Sequence, residues 1–417
     1  MAYDTATATS AEADPRKASA APAILNQVAL GYSAFIDRNR AVTATRLTVF
    51  PIRPDALLDA GQLLAAVAEA WPAGGGRVSL NVVSENLLQG LLRAGPAENL
   101  MVEVPAFMAA DGDQTEALCA LHANGSTLLL KGRPLRELPR AVLPCFKYSI
   151  IDLSDERRGA ESSAPAGVLR SMPHVQSGVR TVVEMEASFA RGAHAVLGWP
   201  INDAVKASGS RGSTAASGMQ VIVELIRQVD TEAAIEKLEN TLKRDPTLAF
   251  KLLRYINSPA FGLRVEVSSF RHAIMLLGYQ RLKRWLALLL ATASKDVNLK
   301  PVMFAAVRRG LLMEELARST GDEEMRSEMF ICGVFSLLDR MFQQPFEALL
   351  DTIPVPERVR QTLVDGAGPF QPYMDVVKAA ESESLFDFRE AAERLMMGVG
   401  EINRAQLRAA MAASSLE

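Results

Sequence analysis

The sequence predicts two halves of different class: a parallel α/β sheet or barrel first, then an all-α unit. Three observations carry this. Short β-type apolar runs alternate with helical patterns up to about residue 205. Residues 206–218, KASGSRGSTAASG, are small and basic with nothing to bury, which is linker composition. Beyond them helical periodicity runs almost without interruption.

In the first half the candidate strands are RLTVFPI (46–52), RVSLNVV (77–83), LMVEVPA (100–106), STLLLKG (126–132) and YSIIDLS (148–154). They are nearly continuous apolar runs, as expected of strands covered on both faces. Helical patterns lie between them at 54–69, 85–94 and 114–123. Residues 1–22 are small and polar, without a signal-peptide core, and read as a disordered N-terminal segment ahead of a domain spanning 23–205.

In the second half, helices are predicted over 219–229, 231–243, 246–257, 269–277, 279–293, 300–319 and 325–343, with more after Pro356. The most heavily specified stretch is KRDPTLAFKLLRYINSPAFGL (243–263). Asp245 caps a helix that Pro246 starts, because proline at the first position gives up an N–H that had no partner. Leu248, Leu252 and Ile256 form one apolar stripe, and Asn257-Ser258-Pro259 ends the helix. Gly278 separates two amphipathic pieces. The helical unit is placed at 219–383, with a C-terminal helical extension over 384–417.

Composition narrows the function. A formal net charge of −3, from 45 basic and 48 acidic residues, excludes a polycation field of the nucleic-acid-binding kind. Cys119, Cys145 and Cys332 are far apart and lack CxxC spacing, so they read as reduced, buried thiols in a cytoplasmic protein and not as a disulfide frame or zinc site. No apolar run approaches the ~20 residues of a membrane helix. His122, His174, His194 and His272 form no ligand or triad motif, and serine-nucleophile and P-loop motifs are absent. No cofactor or metal is expected. What stands out is a charge bias: nine basic residues between Lys243 and Arg284 face only Asp245 and Glu266. Lys251, Arg254, Arg281 and Arg284 are therefore candidates for a partner-binding face, set against a plain solvated surface. Residues 314–328 carry the opposite bias, which permits self-association.

The runs LKRDPTLAFKLLRYINSPAFGL and VSSFRHAIMLLGYQRLKRWLALLLA, continued through 330–370, closely resemble the HDOD domain. That helical bacterial module is related to the HD metal-dependent phosphohydrolases but lacks their metal ligands. Here Ser336 and Leu337 stand where the hydrolases have His-Asp, and neither can hold a divalent cation in that way.

The first half resembles, weakly but in order along the chain, an EAL domain, the TIM-type barrel of cyclic-di-GMP phosphodiesterases. LGYSAFIDRNRAVTATRLTVF matches the opening strand pair, with Arg46-Leu47-Thr48 in place of Glu-Ala-Leu. SLNVVSENLL keeps Asn81 and LMVEVPAF keeps Glu103, both at metal-ligand positions. GSTLLLKGR has Lys131-Gly132 where the family has paired aspartates, YSIIDLSD keeps Asp152 but has Ile150 for the catalytic lysine, and HAVLGWPI has Leu197 for a glutamine. The stretch between Asp155 and Ala190 is short for two full β–α units. EAL hydrolysis needs carboxylates around two divalent ions, and cations at positions 46 and 131 oppose that.

The resemblance therefore implies a degenerate barrel whose Asn81, Glu103 and Asp152 remain as rim hydrogen-bonding groups, with Glu103 expected to pair with Arg46 or Lys131. The implied function is a non-enzymatic signalling adaptor binding regulatory proteins near cyclic-di-GMP or two-component pathways. The alternatives are a non-hydrolysing cyclic-di-GMP receptor, nucleic-acid binding through the basic face, and residual phosphodiesterase activity.

Overall fold

The computed structural model of the protein describes residues 23–71, 76–95, 99–158, 172–203, 216–257, 267, 269–292 and 296–414. The expected disordered segment 1–22 lies outside them, as does most of the predicted linker.

The first half is a closed barrel of eight strands in sequence order. They are β1 (Val28–Asp37), β2 (Val42–Pro51), β3 (Arg77–Val82), β4 (Leu100–Pro105), β5 (Thr127–Lys131), β6 (Phe146–Asp152), β7 (His174–Val179) and β8 (Ala195–Gly198). β2 to β8 run parallel, whereas β1 is antiparallel to both of its neighbours. A four-residue turn causes that reversal: Asp37 Oδ1 accepts from the Asn39 and Ala41 amides, and Arg40 takes the left-handed conformation at φ 64°. So short a link can only reverse the chain. Among the described residues, the stretch expected to be short for two full β–α units holds one, β7 with the helix Val182–Ala190.

Alternation along the strands divides the barrel core from its coat. Phe35, Ala44, Met101, Leu129, Ile150, Val175 and Leu197 point inward as a small apolar layer. Outward residues of β2 to β5 pack under the helices Ala60–Ala70, Glu85–Ala94 and Thr115–Ala123. Asp59, Ser84 and Thr181 cap helices on this side, Thr181 through a complete capping box with Glu184.

Among the described residues no α-helix of the first half covers β1. Its outer face is buried by Gln371–Ser382, Leu385–Leu395 and Val399–Ser414 of the second half. Tyr32, Ala34, Ile36 and Trp199 thus belong to the same apolar core as the helical bundle. Trp199 donates Nε1–H to the Tyr32 carbonyl at 3.1 Å and stacks on Phe304. Asn403, fully buried, takes the Leu30 amide and donates to the Leu25 and Val28 carbonyls. The C-terminal segment is therefore a wall of the barrel and not an appendage.

The helical half opens with Ala216–Asp230, so the last three residues of the predicted linker are helical. Pro246–Ile256 forms with Asp245 accepting from the Leu248 amide, and Leu248, Leu252 and Ile256 are buried. Asn257 ends that helix by exchanging two hydrogen bonds with Val267. Phe270–Ala291 breaks at Gly278 (φ 67°, ψ 169°), a conformation glycine adopts without penalty. Lys300–Leu316 and Glu323–Phe335 cross so closely that a Cβ on Gly333 would lie 2.5 Å from the Arg309 carbonyl oxygen. Glycine is required there by contact, not by conformation.

Candidate functional site

The parallel strands end at one mouth of the barrel, where the inward residues of β2 to β7 turn polar. Arg46 on β2 meets Glu103 on β4 in a bidentate pair, Nε to Oε1 at 2.9 Å and Nη2 to Oε2 at 2.7 Å. Glu103's side chain is fully buried and Arg46's is 10% exposed. Ser79 on β3 donates to Glu103 Oε1 at 3.0 Å. Burial alone would lower Arg46's pKa, but Glu103 and a second carboxylate, Glu383, more than offset it and hold the guanidinium charged.

Glu383 comes from the other half of the chain. It follows the helix Gln371–Ser382 in the left-handed conformation (φ 53°), one that a non-glycine residue adopts at a cost of roughly 1 kcal/mol. Its carboxylate lies 3.4 Å from Arg46 Nη1 and accepts from the Thr48 hydroxyl. Gly31 on β1 lets it approach, because a Cβ there would stand 3.1 Å from Glu383 Cα. Arg180, beyond β7, donates to the Glu381 and Ser382 carbonyls at that helix's C-terminus, where cationic donors are favoured. The second half thus closes the mouth with its own carboxylate.

The remaining predicted positions complete the ring. Lys131 Nζ donates to Asn81 Oδ1 at 2.7 Å, and Asn81 Nδ2 donates to the Thr48 hydroxyl at 3.1 Å. Burial lowers the Lys131 pKa, with Arg46 adding to the effect. Asp152 accepts from the Ser154 amide, the Ser154 hydroxyl and the Ser177 hydroxyl, so it caps the chain beyond β6. Ile150 and Leu197 lie in the apolar layer. One carboxylate neutralised by an arginine, an amide bound to a lysine and a capping aspartate do not fit a pair of divalent cations. Among the described residues no three His, Cys, Asp or Glu side chains converge as metal ligands. Beside the ring a groove of about 960 Å³ crosses the ends of β3 to β5, lined by Lys131, Arg133 and Arg136 and by exposed Val83, Phe107 and Leu135.

Ser336 and Leu337 also sit at the junction. Leu337 is buried. Ser336 accepts from Arg309 Nη1 at 3.1 Å and donates to the Gly333 carbonyl. Arg309 grips Glu381 through three hydrogen bonds of 2.6 to 3.1 Å, both side chains nearly fully buried. Arg308 lies 3.9 Å over the Tyr32 ring and donates to Thr45 at 3.1 Å; burial lowers its pKa. The sequence reading missed Arg308, Arg309, Glu381 and Glu383. The adjacent arginines inside an otherwise apolar helical run were the available signal; for Glu383 there was none.

The candidate basic face is divided, and the expected exposure fails at Arg284 alone among its described side chains. Arg284 forms two 2.7 Å hydrogen bonds to Glu314 and stacks over Phe330, so it is not available to a partner. Arg271, Lys243 and Lys283 pair with Glu236, Glu239 and Asp230. Glu239 stands four positions before Lys243, whereas the acids that meet Arg271, Lys283 and Arg284 come from other helices, where a window of sequence cannot count them. Lys251 and Arg281 are exposed, and the side chain of Arg254 lies outside the described residues. The acidic run is likewise occupied, with Glu315 bound to Arg318 and Arg408, and Glu328 to Arg358.

Comparison with known proteins places these elements. The family model of the HDOD domain matches residues 216–342. The uncharacterised protein YuxH of Bacillus subtilis is 29% identical over 168 residues, 39% of this chain and 40% of that protein. The cyclic di-GMP phosphodiesterase CdgJ of Vibrio cholerae is 26% identical over 162 residues, 39% of this chain and 38% of that protein. The matches thus span about two-fifths of these relatives' length. Among solved structures, the PaMucR phosphodiesterase in complex with c-di-GMP aligns over 42% of this chain and 96% of that chain, with 16% identity and a TM-score of 0.32. The chain thus joins a closed eight-stranded barrel to a helical region whose residues 216–342 match the HDOD domain.

Proposed function

We propose that this chain is a non-hydrolysing signalling adaptor, whose barrel mouth has been converted from a metal-binding site into the joint that holds its two halves together. The observation that carries the reading is the buried Arg46–Glu103 pair with Glu383 set against it. Seating a divalent cation on Glu103 requires breaking two charged hydrogen bonds and leaving a guanidinium within a few ångströms of the metal, in a site of low dielectric. Lys131 repeats the obstacle on β5. An HDOD domain with Ser336 and Leu337 at the former ligand positions adds no second catalytic centre, and its basic residues are largely spent on internal pairs, which argues against nucleic acid as the partner. The work left to such a chain is binding regulatory proteins.

Purified chain incubated with cyclic di-GMP and Mg²⁺ or Mn²⁺ should release no linear dinucleotide above a buffer control. Turnover that Glu103→Ala abolishes would overturn the proposal.

One observation favours the second reading, a non-hydrolysing receptor: the groove beside the mouth offers Lys131, Arg133 and Arg136 to an anion. Calorimetry with cyclic di-GMP separates the two. Saturable heat that disappears in the Lys131→Ala variant assigns the barrel to nucleotide binding, and its absence leaves the adaptor.

A further inference from the structure

Two of the three cysteines, separated by 26 residues in sequence, meet in space. Cys119 lies on the helix Thr115–Ala123 and Cys145 in the turn Leu143–Cys145 that leads into β6. Their sulfurs are 3.7 Å apart, and both lie near the Ala141 carbonyl, at 3.5 and 3.6 Å. Cysteines far apart in the sequence are thus neighbours in the fold, and Cys119 is only partly buried where three buried thiols were expected. We propose that Cys119 and Cys145 are a peroxide-sensitive dithiol that closes to an intramolecular disulfide.

The environment assigns each sulfur a role. Cys119 is only partly buried, whereas Cys145 is buried at the wall of a cavity of about 300 Å³ that His122 and Lys147 also line. Burial, with the hydrogen bond to Cys119, pushes the Cys145 thiol up to about 11. Cys119 is the more exposed sulfur and is the one peroxide reaches first. Its sulfur bonds to one peroxide oxygen, the O–O bond breaks, and the departing oxygen leaves as water, giving a sulfenic acid. The Cys145 sulfur then attacks the Cys119 sulfur. The S–S bond forms, the S–O bond breaks, and the hydroxyl departs as a second water carrying the Cys145 proton. Two thiols lose two electrons and the peroxide gains them. Closure needs the sulfurs to approach from 3.7 Å to about 2.05 Å.

The ordinary alternative is two thiols packed as small hydrophobes. Cys332 illustrates it: fully buried with no cysteine neighbour, its thiol is pushed up to about 12. The proposed bond would fasten the helix Thr115–Ala123 to the end of the β5–β6 connection. The start of that connection carries Arg133, Leu135 and Arg136 of the mouth groove, so oxidation would restrain one wall of it.

The test treats the reduced full chain with excess hydrogen peroxide, then quenches, denatures and counts thiols. The expected result is a fall from the three cysteines of the chain to a single thiol, a mass loss of about 2 Da for two hydrogens removed, and a tryptic pair joining Cys119 to Cys145. Dithiothreitol should restore all three thiols. In Cys119→Ser no link should form; in Cys145→Ser a dimedone adduct should appear on Cys119. If Cys145→Ser does not fold, the wild-type peptide map and Cys119→Ser still decide. Retention of three thiols in the wild type, or linkage through Cys332 or between chains, would overturn the proposal.

Discussion

Replacing Arg46 by alanine probes the joint most directly. The change leaves the fully buried Glu103 carboxylate with the Ser79 hydroxyl as its remaining partner within hydrogen-bonding distance. Removing one member of a buried pair costs about 3–5 kcal/mol, because the other charge is left uncompensated. Glu103→Ala should cost less, about 1.5–3 kcal/mol, since Arg46 retains Glu383, whose side chain is 18% exposed and open to water. The double variant removes both charges and should be more stable than the sum of the single losses predicts, by about 2 kcal/mol, as expected of residues in direct contact. The assay is urea unfolding of the full chain, followed in parallel by tryptophan fluorescence and far-UV circular dichroism; coincident transitions license the free-energy comparison. Trp199, packed between barrel and bundle, reports on the joint itself. An Arg46→Ala variant within about 1 kcal/mol of wild type, or a strictly additive double variant, would refute the claim that this pair is a buried, mutually dependent unit.

Asn403→Ala should cost about 2–3 kcal/mol, because the Leu30 amide and the Leu25 and Val28 carbonyls lose their buried partner; faster amide exchange confined to residues 24–30 and 399–414 is the expected signature, and unchanged protection there counts against it. Arg284→Ala should lower the melting temperature, since Glu314 (13% exposed) loses its principal partner, whereas Arg281→Ala on the solvent side of the same helix should leave it unchanged. Equal effects from the two would mean that the basic stretch is one undivided surface.

Much of the organisation was legible because it is written in local patterns. Apolar runs placed β3 to β6 within two residues of their ends, and Asp245, Pro246 and Asn257 fixed a helix by capping chemistry that acts over three or four positions. The residue types at positions 46, 103 and 131 implied an ion pair in the barrel mouth, and Arg46–Glu103 is that pair. The sequence by itself thus determined two halves of different class and the make-up of the first half's polar ring. Tertiary structure alone decided what closes that ring. Glu383 lies 337 positions from Arg46, Arg309 reaches Glu381 across 72, and Arg284 finds Glu314 across 30. No window of sequence weighs such pairs, because charges on separate helices become neighbours only after packing. For the same reason the sequence separates two halves while the fold joins them: among the described residues no α-helix of the first half covers β1, and the apolar surface left open is buried by the C-terminal helices.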